Sequence, residues 1–497
     1  MAPHDKNSDP TMGPYSTSPS YGFQPLATQT KQNPDSNHAM LHRSLAYKPD
    51  TVSHASGVYL TLDSGRTIID ACGGAAVTCI GHGNPEVFAA ALSQMNKVSY
   101  VHTGAYTTTV AEDLAHIILD GNPYGLEKAF FVGSGSEAMD AALKLARQYF
   151  YEKDEKERKF LVARKQSYHG NTIGAMSVSS NLPRKIPYEP LLLPNVSHVS
   201  PAYAYQYKQD TETENEYVSR LASELDAEFH RLGPQNVIAF IAEPIVGATT
   251  GCVPAPPGYF RAVRDICTKH GILLILDEVM CGMGRTGSLF AFEQEGEGVV
   301  PDIMTLGKGL GGGYAPIAGV LVHSKVVDVL RAGTGMFNHG QTYQAHPLSC
   351  ATALAVQRIV KREGLVKRCK AMGVVLERLL KGNLGEKKHV GDIRGRGLFW
   401  GIEFVREKGS EEAFEPGMEF GMRVQRKAFE FGTAVYPGSA TVDGVKGDNG
   451  NADSENSVVL VAPPYTVAEE ELEVIVRTLA EAYDAVERDV DTIRAKI

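Results

Sequence analysis

The sequence predicts an α/β fold built on a mainly parallel sheet buried beneath helices, and three observations carry that prediction. Phe160–Ala163, Val237–Ala242, Ile272–Leu276 and Ile303–Leu306 are unbroken apolar runs without alternation, as expected of strands covered on both faces. Glycine turns and helix signals stand around these runs. Charged groups close three of the runs: Glu243, Asp277, and Lys308 within Gly307-Lys308-Gly309. In open α/β sheets the ligand crevice lies at the carboxyl ends of the strands, so these groups are expected at one edge.

In chain order, the first 40 residues are rich in Ser, Pro, Thr and Asn and lack the apolar core of a signal peptide, which reads as a disordered tail. Asp5, Asp9 and the absence of Arg before Arg43 disfavour a transit peptide. Residues 57–70 form a hairpin signal around Asp63-Ser64-Gly65. Pro85–Met95 reads as a helix, and Tyr100 and Tyr106 sit on the loop after it. Ala129–Val132 reads as a strand running into Gly133-Ser134-Gly135-Ser136-Glu137, where Ser134 and Glu137 have capping-box spacing, and a helix follows to about Tyr151. Such a strand, glycine turn and helix start make an anion site, because the helix N-terminus offers unpaired N–H groups and positive dipole charge.

After the strand Phe160–Ala163 comes Ser167-Tyr168-His169-Gly170, where a flat aromatic at a strand's end is placed to stack on a planar ligand. His169 reads as structural. The polar stretch 203–216 is expected to be loop, and Pro257–His270, stopped by Gly271, reads as the helix entering the Asp277 strand. Gly311–Tyr314 leads to a strand at Ile317–Val322, and beyond Pro347 helices alternate with short strands.

Composition narrows the class of function. The chain has 497 residues, 43% hydrophobic and 22% charged, which suits about three domains or fewer large ones. A formal charge of −9 and a pI near 6.0 argue against nucleic acid or an anionic membrane as partner, and favour a small molecule. No run approaches the about 18 apolar residues of a membrane span. The 7 cysteines lack CxxC spacing and read as reduced core thiols of a cytoplasmic protein.

A lysine and an aspartate at one sheet edge are the two groups pyridoxal 5′-phosphate requires: an amine to hold it as a Schiff base, and an acid to keep its ring nitrogen protonated. Taken singly, each has a plainer reading, a surface lysine or a turn aspartate. The words around them decide. Asp277-Glu278-Val279-Met280-Cys281-Gly282-Met283-Gly284-Arg285-Thr286-Gly287, followed by Gly307-Lys308-Gly309, resembles the signature of class III (ω-type) pyridoxal-phosphate-dependent aminotransferases, and the resemblance runs from about Leu41 to near the C-terminus.

That resemblance implies the transferase fold of type I: a large domain over 91–338 with a seven-stranded-type sheet, and a small α+β domain from 41–90 and 339–497. It implies Lys308 and Asp277 as catalytic groups, Gly135 and Ser136 at the cofactor phosphate, and Tyr168 and Val279 on the two ring faces. Thr342, in His339-Gly340-Gln341-Thr342-Tyr343, matches the residue that reaches the neighbouring subunit's phosphate, implying a homodimer with shared sites. Tyr100 and Tyr106 are expected to wall the substrate pocket, and no metal is expected.

The chain also departs from its relatives. Met280 stands where ornithine-type relatives carry Gln. Leu460, before Ala462-Pro463-Pro464, replaces their carboxylate-binding arginine, and Ala248 replaces that arginine's glutamate partner. The stretch 438–457, where amine–pyruvate relatives keep a movable arginine, contains none and is expected to be a mobile insert. Arg394-Gly395-Arg396-Gly397 is read as structural.

The function expected is ping-pong transfer of an amino group from an ω-amine or amino acid to an α-keto acid. The alternatives on the same scaffold are a decarboxylase, an aminomutase or a phospho-lyase. An NAD-dependent oxidoreductase is disfavoured, because Gly282-x-Gly284-x-x-Gly287 runs into an aromatic loop and Gly307-x-Gly309-x-x-Gly312 into a strand, where the dinucleotide fingerprint must open a helix.

Overall fold

The structure, a computed structural model, describes residues 39–43, 49–415, 417–438 and 457–495. Most of the predicted tail and of the 438–457 insert lies outside these residues. The described chain opens on an antiparallel meander of β1 (Val52–Ser56), β2 (Tyr59–Leu62) and β3 (Thr67–Asp70). Gly65 makes its second turn possible with a φ of 82°, which side chains with a Cβ rarely adopt.

The central sheet gathers β4 (Leu126–Val132), β5 (Phe160–Arg164), β6 (Val196–Val199) and β7 (Val237–Ala242). A two-stranded ribbon, β8 (Ile245–Val246) with β9 (Val253–Pro254), stands outside it. Three more strands complete the sheet: β10 (Leu273–Asp277), β11 (Ile303–Leu306) and β12 (Ala318–His323). The spatial order is β4-β12-β11-β10-β7-β5-β6. Only β12 runs against its neighbours, β11 and β4, and the other pairs are parallel.

Burial explains the uninterrupted apolar runs. On β10, Leu274 and Leu276 join the core on one face of the sheet and Leu273 and Ile275 the core on the other. Phe240 and Ala242 of β7 divide from Ala239 and Ile241 in the same way. Successive strand residues point to opposite faces, so a strand covered twice has no polar face.

The C-terminal part supplies β13 (Val390–Arg396), β14 (Phe399–Phe404), β15 (Thr433–Ala434), β16 (Tyr436–Gly438) and β17 (Val458–Val461). Four of these form an antiparallel sheet in the order β13-β14-β17-β16. The fifth, β15, pairs in parallel with β3, which ties the N-terminal meander to residues more than 300 positions later in the numbering. The helix Pro347–Arg362 joins the two halves: Cys350 and Leu354 pack into the core of the central sheet, and Val356, Ile359 and Val360 into the C-terminal core.

One stretch differs from expectation. Residues 203–216 contain a helical turn at Ala204–Tyr207, and Glu214 opens the helix Glu214–Leu232 behind a reciprocal Thr213–Glu216 cap. Tyr203 is buried there with its hydroxyl bonded to Glu403. Three tyrosines at alternate positions, Tyr203, Tyr205 and Tyr207, pack ring to ring, and that burial outweighs the polar residues between them.

Among the described residues, no helix is long and apolar enough to cross a membrane.

Candidate active site

Asp277 ends β10 and is buried in a complete set of partners. Its Oδ1 accepts from the Thr305 hydroxyl of β11 at 3.0 Å and from the Val279 N–H at 3.0 Å, and its Oδ2 lies 2.8 Å from Nδ1 of His169. A buried carboxylate with three polar partners is fixed in place. Glu278, the next residue, is occupied elsewhere: its carboxylate accepts from the N–H groups of Ala291 at 2.6 Å and Phe292 at 2.8 Å, and burial pushes its pKa up to about 8.

Lys308 follows β11 across the same edge. It is half-buried and sits at a φ of 42°, in the left-handed region that costs a side chain on the order of 1 kcal/mol. Lost hydration lowers its pKa below 10.5, while the carboxylates of Asp277 and Glu243 pull the other way. The neutral amine is therefore more accessible here than on a surface lysine. Glu243, beyond the end of β7, accepts from the N–H groups of Tyr168 at 3.0 Å and Gly247 at 3.1 Å. It holds the Tyr168 loop and adds negative charge near the amine.

The turn after β4 forms the third part of the site. Ser134 caps the helix Gly135–Glu152 by accepting from Glu137 N–H at 3.3 Å. The reciprocal half of the capping box is absent, because the Glu137 carboxylate accepts from Gly133 N–H at 2.7 Å instead. Among the described residues, the N–H groups of Gly135 and Ser136 have no protein acceptor, as an anion site at a helix start requires. Two glycines keep the space clear: a Cβ on Gly135 would meet Cγ1 of Val279 at 2.8 Å, and one on Gly307 would meet it at 3.0 Å.

These features fit pyridoxal phosphate. Unpaired N–H donors suit the phosphate, and Asp277 suits a ring cation. Among the described residues, Nε2 of His169 is a buried polar atom without a protein partner. Lys308 suits an aldehyde, and Tyr168 and Val279 are the two side chains expected to flank the ring. Met280 is buried with its sulfur against Gly247 and offers no strong donor.

Other expected residues lie apart from this group. Tyr100 and Tyr106 are exposed, 41% and 67%. Tyr100 stands 6.1 Å from the Tyr343 ring and 6.4 Å from His346. Thr342 is exposed on that same loop, and among the described residues no hydrogen bond joins it to Ser136 or Lys308. Arg394 is buried between Asp392, Glu403 and the carbonyls of Thr250 and Gly251, and Arg396 pairs with Glu295 at 2.5 Å. Both are structural. Leu460 is wholly buried in β17.

The neighbour of Asp277 that the sequence did not point to is His169. Its position after Tyr168, beyond a strand end, was a signal, but the pairing with Asp277 spans 108 positions and nothing in the local sequence specifies it.

The profile of the aminotransferase class III family matches residues 44–483. An uncharacterised aminotransferase of Schizosaccharomyces pombe is 44% identical over 92% of this chain and 97% of its own length. Gamma aminobutyrate transaminase 3 (chloroplastic) of Solanum lycopersicum is 33% identical over 90% of this chain and 83% of its own. Among solved structures, the omega transaminase from Pseudomonas jessenii in complex with PMP is similar with a TM-score of 0.81 and 30% identity, covering 89% of this chain and 94% of that one.

Proposed function

The chain belongs to the class III aminotransferase family, and from that premise we propose which of its residues carry the reaction. It is a pyridoxal-phosphate-dependent transaminase of type I fold, taking an amine donor and a keto-acid acceptor. When bound, the cofactor supplies an electron-poor ring that stabilises negative charge on the donor carbon. Everything else falls to side chains.

In this reading, the N–H groups of Gly135 and Ser136 hold the phosphate, Tyr168 and Val279 confine the ring, and the Lys308 amine anchors the aldehyde. Displaced from it, Lys308 Nζ moves a proton to and from the donor carbon, a step for which a lowered pKa is suited. Asp277 keeps the ring nitrogen cationic, and His169 and Thr305 prevent the carboxylate from turning away. The observation that supports this most directly is the carboxylate of Asp277, buried and held by three donors at the strand edge that also carries Lys308. Because one site serves donor and acceptor in turn, ping-pong kinetics follow.

We also propose a homodimer with shared sites. Exposed Thr342 and Tyr343, with Tyr100 and Tyr106, support it, since clustered exposed aromatics suit an interface. Seven buried free cysteines support a reducing compartment such as the cytoplasm. Tyr100 and Tyr106 are proposed as substrate-pocket residues completed by the second copy.

Borohydride reduction of the yellow protein followed by peptide mapping tests the central assignment. Label on Lys308 is expected, and label on another lysine overturns it. A panel of amines with pyruvate or 2-oxoglutarate then identifies the donor. Release of carbon dioxide or phosphate without keto-acid turnover would favour the lyase or decarboxylase alternative.

A further inference from the structure

Lys308 opens a short helical turn, Lys308–Leu310, that its own backbone only half satisfies. The Leu310 N–H donates to the Gly307 carbonyl at 2.8 Å, and the N–H groups of Gly311 and Gly312 donate to the Lys308 carbonyl at 3.1 and 3.0 Å. The carbonyls of Gly309 and Leu310 are left over, as at any helix end, and both residues are buried. The turn also starts from a left-handed lysine, with a φ of 42°, a conformation that persists only where the surroundings fix it.

What fixes it comes from far along the chain. The side-chain amide of Gln357 donates to the Gly309 carbonyl at 3.0 Å and to the Leu310 carbonyl at 2.8 Å. The Cys79 thiol donates to the Gly309 carbonyl at 3.3 Å, and burial, which pushes its pKa up to about 12, keeps its proton on. Gln357 is itself buried. It lies on the helix Pro347–Arg362, where Leu354 packs into the core of the central sheet and Val356 into the C-terminal core. A glutamine in that place is costly unless its amide is satisfied, and the lysine turn is what satisfies it.

We propose that Gln357 is a positioning residue for the transamination: by pinning the turn beneath Lys308, it keeps the amine within reach of the donor carbon after the amine is displaced from the cofactor. The inference rests on the assignment of Lys308 as the reacting amine and adds the group that holds its backbone. In that reading the lysine changes role within each turnover, from anchor to proton carrier, and its backbone is the point that stays fixed. A displacement of about 1 Å at such a group is enough to cost on the order of a hundredfold in rate.

Gln357→Met keeps the length of the side chain and removes both donors. In the holoenzyme, kcat is expected to fall by about tenfold to a hundredfold, with KM for the amine donor moving less than about threefold. The pH midpoint of the bound cofactor's absorbance change is expected to move with it. Gln357→Glu supplies a rescue with its own signature: a carboxyl facing two carbonyls donates one bond only while protonated. Its activity relative to the wild type should therefore be partly kept at low pH and lost as pH rises. A Met variant with a lowered melting temperature but wild-type kcat and absorbance titration would show that Gln357 only packs the helix, and would overturn the proposal. A Glu variant whose relative activity does not change with pH would overturn it too, and decides alone if the Met variant does not fold. Borohydride reduction separates the two layers: label on Lys308 with unmoved kinetics removes Gln357 alone, whereas label on another lysine removes the assignment beneath it.

Discussion

Two regions of the molecule differ in completeness. On the strand-edge side, Asp277, Thr305, His169 and Glu243 are buried, Asp277 bonded to Thr305 and His169 and Glu243 to the N–H groups of Tyr168 and Gly247, at 2.8–3.1 Å within the single chain. On the loop side, Thr342, Tyr343, Tyr100 and Tyr106 are exposed. The first side holds charge and must be rigid, since a buried carboxylate without its donors is costly. The second meets solvent and, as proposed, substrate and a second copy, and its residues stand outside the buried core. The groups proposed for the chemistry are thus preorganised within one chain, while the proposed substrate contacts are left to assembly.

Breaking the strand-edge side should have the largest effect. Asp277→Asn removes the negative charge while keeping an acceptor for Thr305 and Val279, so kcat should fall on the order of a thousandfold with little loss of folding. Stopped-flow absorbance of the first half-reaction reads it. A drop under tenfold would separate Asp277 from the ring nitrogen.

Gly135→Ala places a Cβ 2.8 Å from Val279 Cγ1, pushing that side chain into the ring space. Cofactor retention after dialysis should weaken by about tenfold or more, with a near-normal melting temperature of the apoprotein.

On the loop side the expected effect is smaller and depends on assembly. Thr342→Val should weaken cofactor retention by about tenfold, the scale of one hydrogen bond to a charged group. If the sites are shared, mixing it with Lys308→Ala should yield hybrid dimers, one of whose sites lacks both groups and the other neither. Light scattering that finds only monomers in the active protein would remove this half of the comparison.

The smallest effect concerns stability. The buried Glu278 carboxyl has a pKa near 8 against 4.5 in the unfolded chain. Below about 4.5 both states hold the proton. Between 4.5 and 8 the unfolded state releases it first, so folding stability falls as pH rises, and above 8 it changes no further. Gln does not titrate, so the melting temperature of the wild type relative to Glu278→Gln should drop by a few degrees across that window. A difference that stays flat from pH 5 to 8 would show that the N–H groups of Ala291 and Phe292 hold Glu278 charged throughout.

Much of this architecture was legible beforehand, for local reasons. Buried parallel strands leave uninterrupted apolar runs, so β5, β7, β10 and β11 stood out, with Asp277 and Lys308 at their ends. The helix start at Ser134 and Gly135 was legible from its cap residue, although Glu137 turned to Gly133 rather than to Ser134. The helical turn at Ala204–Tyr207 was hidden, since polar neighbours mask tyrosines whose burial depends on Glu403, about 200 positions away.

The sequence by itself determined the class of fold, the sheet edge where the chemistry gathers, and the lysine and acid expected to perform it. Those follow from periodicity, turn geometry and residue type, which act over a few positions. Only the tertiary structure decided that His169 braces Asp277, that β15 closes the N-terminal meander on β3, and that Arg184 lies over the Tyr168 ring. Each of these joins segments whose sequences carry no mark of one another, and packing alone brings them together.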